Sequence, residues 1–284
     1  MLKKLFVSSR PISWINTAFP FAAAYYLATG EVNAELVIGT LFFLIPYNLL
    51  MYGVNDVFDY PSDLRNPRKG GIEGALLEPK YHRPTLVISF ALAAPFTIYL
   101  LLIGSLTSGL VLAIVLFLVI AYSLGGLRFK EIPFLDSFTS AMHFVGPMLF
   151  ALTLTDTQFD LRIWLITLSF TLWGMASHAF GAVQDIRADR EAGIASIATA
   201  LGAKLTVRIA FAMYLVAGLT TLFLGDRYPQ AALAALPYLF VVGREWGITD
   251  ETCEQANRGW RRFIFLNFLA GAIVSAVIIG PQPS

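Results

Sequence analysis

The stretch YGVNDVFDYPSD, residues 52–63, ends a long apolar run with an asparagine and three aspartates. An ionised carboxylate near lipid is costly unless something holds it, so an ordinary membrane helix would not finish this way. Asp56, Asp59 and Asp63 stand at i, i+3 and i+7, which is one face of a helix. The spacing predicts a stripe of carboxylates at the foot of a membrane-length segment.

The surroundings of that stretch set the class. Of the 284 residues, 57% are hydrophobic and 14% charged, against about 25% charged in soluble globular domains. A span needs about 20 mostly apolar residues. Nine candidates follow, at 12–29, 36–55, 84–104, 108–125, 134–154, 162–182, 204–224, 229–243 and 262–280. The first exceeds the 7–15 residues of a signal-peptide core and reads as a retained span. The expected fold is an all-α bundle of nine transmembrane helices with cytoplasmic cap loops and helices, residues 1–284 forming one domain.

Nine spans place 18 of the 20 Lys and Arg on the N-terminal side, leaving only Arg162 and Arg227 opposite. The positive-inside rule then puts the N-terminus in the cytoplasm, the C-terminus outside and both acidic loops on the cytoplasmic face. The net charge of +1 names no partner, and no nucleic acid is expected. The lone Cys253 excludes a disulfide framework, and His82, His143 and His178 are too scattered for a zinc site.

A second acidic stretch, QDIRADREAG, places Asp185 and Asp189 at i and i+4. Carboxylates so spaced lie about 5–6 Å apart along one stripe and repel. A cation is the simple remedy, and Mg2+ takes one or two carboxylates plus phosphate and water. The two clusters are expected to form a two-sided Mg2+–diphosphate clamp, with Asn55 adding a neutral donor. A departing diphosphate needs further donors, which YSLGGLRFKEIPFLD supplies as Tyr122, Arg128 and Lys130, and NPRKGG as Arg68 and Lys69. Acidic loop residues are commonly just solvated, but the recurrence of one helical spacing in two loops argues otherwise. Arg244, Arg258, Arg261 and Arg262 are read as markers of topology only. Trp14, Asn16, His143 and His178 are polar or amphipathic groups within apolar helices. They fit an acceptor pocket or hydrogen bonds between packed helices, and none is assigned as a base.

NDVFDYPSD fits the NDxxDxxxD motif, and DIRAD the second DxxxD motif, of the UbiA superfamily of intramembrane prenyltransferases, which this chain resembles over nearly its whole length. RPISWIN, the YSxxxxRxK loop and GIASIATALG also look like the family. The resemblance implies a helical bundle around a central cavity and two Mg2+ ions on an isoprenyl diphosphate. Asn55, Asp56, Asp59, Asp63, Asp185 and Asp189 become the catalytic metal–diphosphate set, with Tyr122, Arg128 and Lys130 as diphosphate contacts. NPRKGGIEGALL stands where many members have a stretch like NRPIPSG, and resembles the lycopene elongase branch.

The expected reaction is Mg2+-dependent transfer of a dimethylallyl group from its diphosphate to lycopene within the membrane lipid, in carotenoid biosynthesis. Two rivals stay open inside the family: an aromatic or quinone precursor, and a tetrapyrrole. Outside it, a secondary transporter would keep ionisable groups near the bilayer midplane, whereas these lie at span ends.

Overall fold

Backbone amides in lipid must be satisfied within their own segment, so long apolar runs fold as helices. The computed structural model describes residues 1–64, 75–226 and 228–279, among which there are helices and 3-10 turns and no strand. In chain order the α-helices are α1 (Leu2–Ser8), α2 (Trp14–Thr29), α3 (Ala34–Leu44), α4 (Pro46–Phe58), α5 (Tyr60–Asp63), α6 (His82–Ile103) and α7 (Leu106–Ser123). There follow α8 (Leu135–Leu154), α9 (Leu161–Val183), α10 (Ile186–Ala192), α11 (Ile197–Leu201), α12 (Ala203–Thr221), α13 (Leu236–Gly243) and α14 (Ala256–Ile279).

Helix lies in each of the nine expected places, but six stretches among the described residues are long and apolar enough to cross a membrane: 34–58, 79–103, 106–123, 135–154, 161–183 and 203–221. The differences have local causes. With 16 residues, α2 rises about 24 Å, short of a hydrocarbon core of about 30 Å. The expected eighth span is a 3-10 stretch, Tyr228–Ala235, leading into the eight residues of α13. The ninth place holds a pair of helical segments bent by 42°, Asp250–Phe263 and Phe265–Ile278.

Helix starts follow side-chain caps. Asn33 Oδ1 accepts from Leu36 N–H at 3.0 Å, and Asp160 Oδ1 from Ile163 N–H at 2.9 Å. Each satisfies a donor that a helix N-terminus leaves open.

The chain forms two compact units, residues 1–129 with 142–157, and residues 130–141 with 158–284. In the first, Phe21, Phe42, Phe43, Tyr47 and Phe150 are fully buried, with Phe42 and Phe43 ring centroids 4.8 Å apart. A Cβ on Gly39 would collide with the Phe21 ring, so α3 packs on α2 only with glycine there. The chain breaks between α3 and α4 at Pro46, which has no N–H to continue the ladder. Asn48 repairs the break: its Nδ2 donates to Thr17 Oγ1 at 2.7 Å, Phe43 O at 2.8 Å and Leu44 O at 3.1 Å. That repair fixes the direction of α4, whose last turn carries the first acidic motif.

In the second unit, Phe180, Tyr214, Tyr238 and Phe263 form the aromatic centre, with Tyr214 and Tyr238 stacked at 4.9 Å. Helices α9 and α14 meet through glycines. A Cβ on Gly259 would come within 2.9 Å of Phe180 Cζ, and one on Gly181 within 2.9 Å of Trp260 Cζ3. Close contact through small residues is how helices associate without a hydrophobic drive.

Candidate active site

The first motif is helical, as its spacing requires. Asp59 caps α4, and the ladder runs on from Asp59 N–H to Asn55 O at 2.9 Å and from Asp63 N–H to Asp59 O at 2.8 Å. Asp56, Asp59 and Asp63 are 1%, 4% and 7% exposed, which rules out a merely solvated acidic loop. Burying a carboxylate is costly unless it is paired or hydrogen-bonded, and the partners come from distant segments.

Asp59 Oδ2 accepts from Asn55 Nδ2 at 2.7 Å, and Arg128 Nη2 lies 3.6 Å from Asp59 Oδ1. Asn55 Nδ2 also donates to Ser123 Oγ at 2.9 Å, which ties α4 to the end of α7. Asp56 is held differently. Its Oδ2 accepts from Ser8 Oγ at 2.8 Å and from Ala75 N–H at 3.3 Å, while Oδ1 accepts from Arg10 Nη2 at 3.3 Å. The same nitrogen reaches Asn55 Oδ1 at 3.4 Å, and the guanidinium sits 4.1 Å above the Tyr52 ring. Burial works against the Arg10 charge, but Asp56, Tyr52 and Asp63 together hold its pKa above the ordinary arginine value.

Arg10 and Ser8 are site residues that the sequence reading did not single out. RPISWIN carried one signal: a basic residue beside a proline, just ahead of a span. Trp14, a candidate for the acceptor pocket, donates through Nε1 to Ser9 O at 3.0 Å and Ser9 Oγ at 3.2 Å, bracing the bend that presents Arg10. Asn16 is partly buried in α2. The Tyr122 ring lies 5.1 Å from that of His143, which is buried. Arg68 and Lys69 lie outside the described residues.

In the second unit Asp185 caps α10 and Asp189 follows one turn later, its N–H donating to Asp185 O at 2.8 Å. Both are partly exposed, unlike the first motif. Lys130 sits on the 3-10 turn Phe129–Glu131, partly exposed. The surrounding acids act as struts. Asp250 Oδ2 accepts from Arg190 Nη1 and its Oδ1 from Ala203 N–H, both at 2.7 Å. The Ala203 amide, followed by Arg190, holds the Asp250 carboxyl below its usual range, with desolvation opposing.

Asp136, not foreseen as a functional residue, is fully buried and accepts from Ile197 N–H at 2.7 Å and Ser137 N–H at 2.6 Å. Ser137 Oγ in turn lies 3.1 Å from His178 Nδ1. His178 therefore belongs to a polar chain linking α8, α9 and the start of α11.

No group of three or more His, Cys, Asp or Glu among the described residues could by itself hold a metal ion. Mg2+ takes one or two carboxylates and completes its shell with substrate phosphate and water. Asn55, Asp59 and Asp63 offer it hard oxygen donors.

The sequence model described as the UbiA prenyltransferase family matches residues 17–269. The chain belongs to that family. As a UbiA prenyltransferase it is an enzyme and a multi-pass membrane protein. It is 54% identical over 281 residues to the C(50) beta-cyclic carotenoids biosynthesis protein LbtBC of Dietzia sp. (strain CQ4), covering 98% of this chain and 65% of that protein's length. It is 48% identical over 278 residues to a lycopene elongase/hydratase of Corynebacterium glutamicum, covering 98% of this chain and 97% of the relative. Among solved structures, a UbiA homolog from Archaeoglobus fulgidus bound to GPP and Mg2+ shares the prenyltransferase fold. Its TM-score is 0.73 at 17% identity, over 97% of this chain and 99% of that one.

Proposed function

We propose that this prenyltransferase moves a dimethylallyl group from its diphosphate to a terminal double bond of lycopene, in the synthesis of long-chain carotenoids. The observation that carries the diphosphate half of this reading is the burial of Asp56, Asp59 and Asp63 within eight residues. Carboxylates so withdrawn from water call for cations, and Arg10 and Arg128 already stand beside two of them. The acceptor half is supported by the names of the Dietzia and Corynebacterium relatives.

Asn55, Asp59 and Asp63, with Asp185 and Asp189, hold Mg2+ in this reading. Bound Mg2+ would neutralise the diphosphate and make it a better leaving group. The Asn55 amide, anchored by Ser123, keeps the Asp59 carboxylate oriented. Arg128, and Lys130 with it, donate to oxygens that gain charge as the carbon–oxygen bond breaks. Loss of diphosphate leaves an allylic cation, to which the terminal double bond of lycopene gives its electron pair. The resulting tertiary cation ends by releasing a proton or taking up water. In this reading the N-terminus and both motifs stand on the cytoplasmic side, which the distribution of Lys and Arg supports.

Membranes from cells expressing the chain, given Mg2+, labelled dimethylallyl diphosphate and lycopene, test the reading directly. Lycopene heavier by one or two five-carbon units, and no product with EDTA, is the expected result. Label passing only to an aromatic acceptor overturns the acceptor, and no diphosphate release with any acceptor overturns the reaction.

A further inference from the structure

Asp56 gives both carboxylate oxygens to protein donors, and those donors come from two distant stretches of chain: Ser8 at the end of α1 with Arg10 in the bend before α2, and the Ala75 amide. Lys4 Nζ reaches Leu76 O at 3.5 Å beside them. One buried carboxylate thus fastens the N-terminal helix and the start of segment 75–78 to α4.

Arg10 is held in an unusual way. Its backbone lies at φ 50°, ψ 72°, left-handed for a residue with a Cβ and foreign to the position before a proline. Such conformations persist where the surroundings over-determine them, and they gather at functional sites. Arg128, the other arginine paired with this motif, also has a positive φ, 42°. The Arg10 guanidinium lies over Tyr52 and spends Nη2 on Asn55 and Asp56. Its Nε is buried without a hydrogen-bond partner among the described residues. A planar cation pinned on one edge and short of an acceptor suits a phosphate, which an arginine binds through paired N–H donors.

We propose that Asp56 is a positioning residue and not a metal ligand: it aims Arg10 at the diphosphate of the prenyl donor. The proposal rests on the diphosphate reading above and refines it. The metal is assigned to Asp59 and Asp63, and Asp56 acts on the diphosphate through the arginine.

Purified protein in detergent separates these roles without turnover. Binding is read as the rise in melting temperature with inorganic pyrophosphate titrated at fixed Mg2+, and then with Mg2+ titrated at fixed pyrophosphate. Asp56→Asn and Arg10→Ala should each weaken pyrophosphate about tenfold or more, the worth of one charge-assisted hydrogen bond. The double variant should be no weaker than either alone, and the Mg2+ midpoint should not move. Asp59→Asn should move that midpoint. In turnover, Asp56→Asn should raise KM for dimethylallyl diphosphate more than it lowers kcat. Additive losses in the double variant, or a Mg2+ midpoint displaced in Asp56→Asn as in Asp59→Asn, overturn the proposal. If Asp56→Asn does not fold, Arg10→Ala and Arg10→Lys decide: pyrophosphate binding unchanged in both overturns it. A wild-type protein that shows no stabilisation by Mg2+ and pyrophosphate sinks the diphosphate reading itself, a result distinct from the variant outcomes.

Discussion

Asp136 offers the sharpest test of how the second unit is held together. Its carboxylate is fully buried and accepts two backbone N–H groups, from Ser137 at 2.6 Å and from Ile197 at 2.7 Å, with Ser137 Oγ at 3.3 Å. Asp136→Ala leaves those donors without an acceptor in a place water does not reach. Each orphaned buried donor costs about 1–3 kcal/mol, and bonds to a charged group lie at the upper end. Two strong bonds and one long one therefore predict a loss of about 3–5 kcal/mol. One kcal/mol shifts the melting temperature by about 2–4 °C in a chain of roughly 150–250 residues. The variant should thus melt about 6–20 °C below wild type in detergent, followed by tryptophan fluorescence at one scan rate. Asp136→Asn, which keeps one acceptor oxygen but turns an amide toward the other donors, should recover part of the difference. A melting temperature for Asp136→Ala within 2 °C of wild type would refute the reasoning, because the two backbone amides would then have found other partners at little cost.

Other expectations concern the site and its supports. Asp59→Ala and Asp185→Ala should abolish turnover at every Mg2+ concentration, and near-normal product from either would remove it from the metal set. Arg128→Ala should lower kcat about 100-fold or more, as losing one transition-state donor does, with Mg2+ dependence unchanged when measured by initial rates. Gly259→Ala should destabilise by about 1–3 kcal/mol, the usual cost of overpacking, because its Cβ would meet Phe180 and Val241 at 2.9–3.1 Å. Thermal melts equal to wild type would mean that the Phe180 ring moves aside freely. Asp250, whose folded pKa is depressed, contributes stability above its unfolded pKa of about 3.9 and loses it as pH falls through the folded value. Asp250→Asn should melt below wild type at pH 7, and the gap should close in acid; a gap that persists there would assign the effect to something other than ionisation.

What the sequence determined by itself was local. Hydrophobic runs broken by Gly, Pro and capping residues located the helices, because an amide in lipid finds its partner four residues away and nowhere else. The spacing of Asp56, Asp59 and Asp63 was legible for the same reason: the 3.6-residue period puts them on one face whatever surrounds them. Span number was not, since crossing depends on where a helix stops. Sixteen residues in α2, a 3-10 lead into α13 and a 42° bend in the ninth place leave six of the nine apolar stretches full-length among the described residues. Burial separated two motifs of similar spacing, withdrawing the first from water while Asp185 and Asp189 stay partly exposed. The partners lay further still beyond reach. Arg10 meets Asp56 across 46 residues, Asn55 meets Ser123 across 68, and Ile197 meets Asp136 across 61. Apart from the proline beside it, nothing in the local pattern distinguishes Arg10 from the basic residues that merely mark topology. Contacts at that separation exist only once packed helices bring the segments together, and that packing decided which charge sits on which carboxylate.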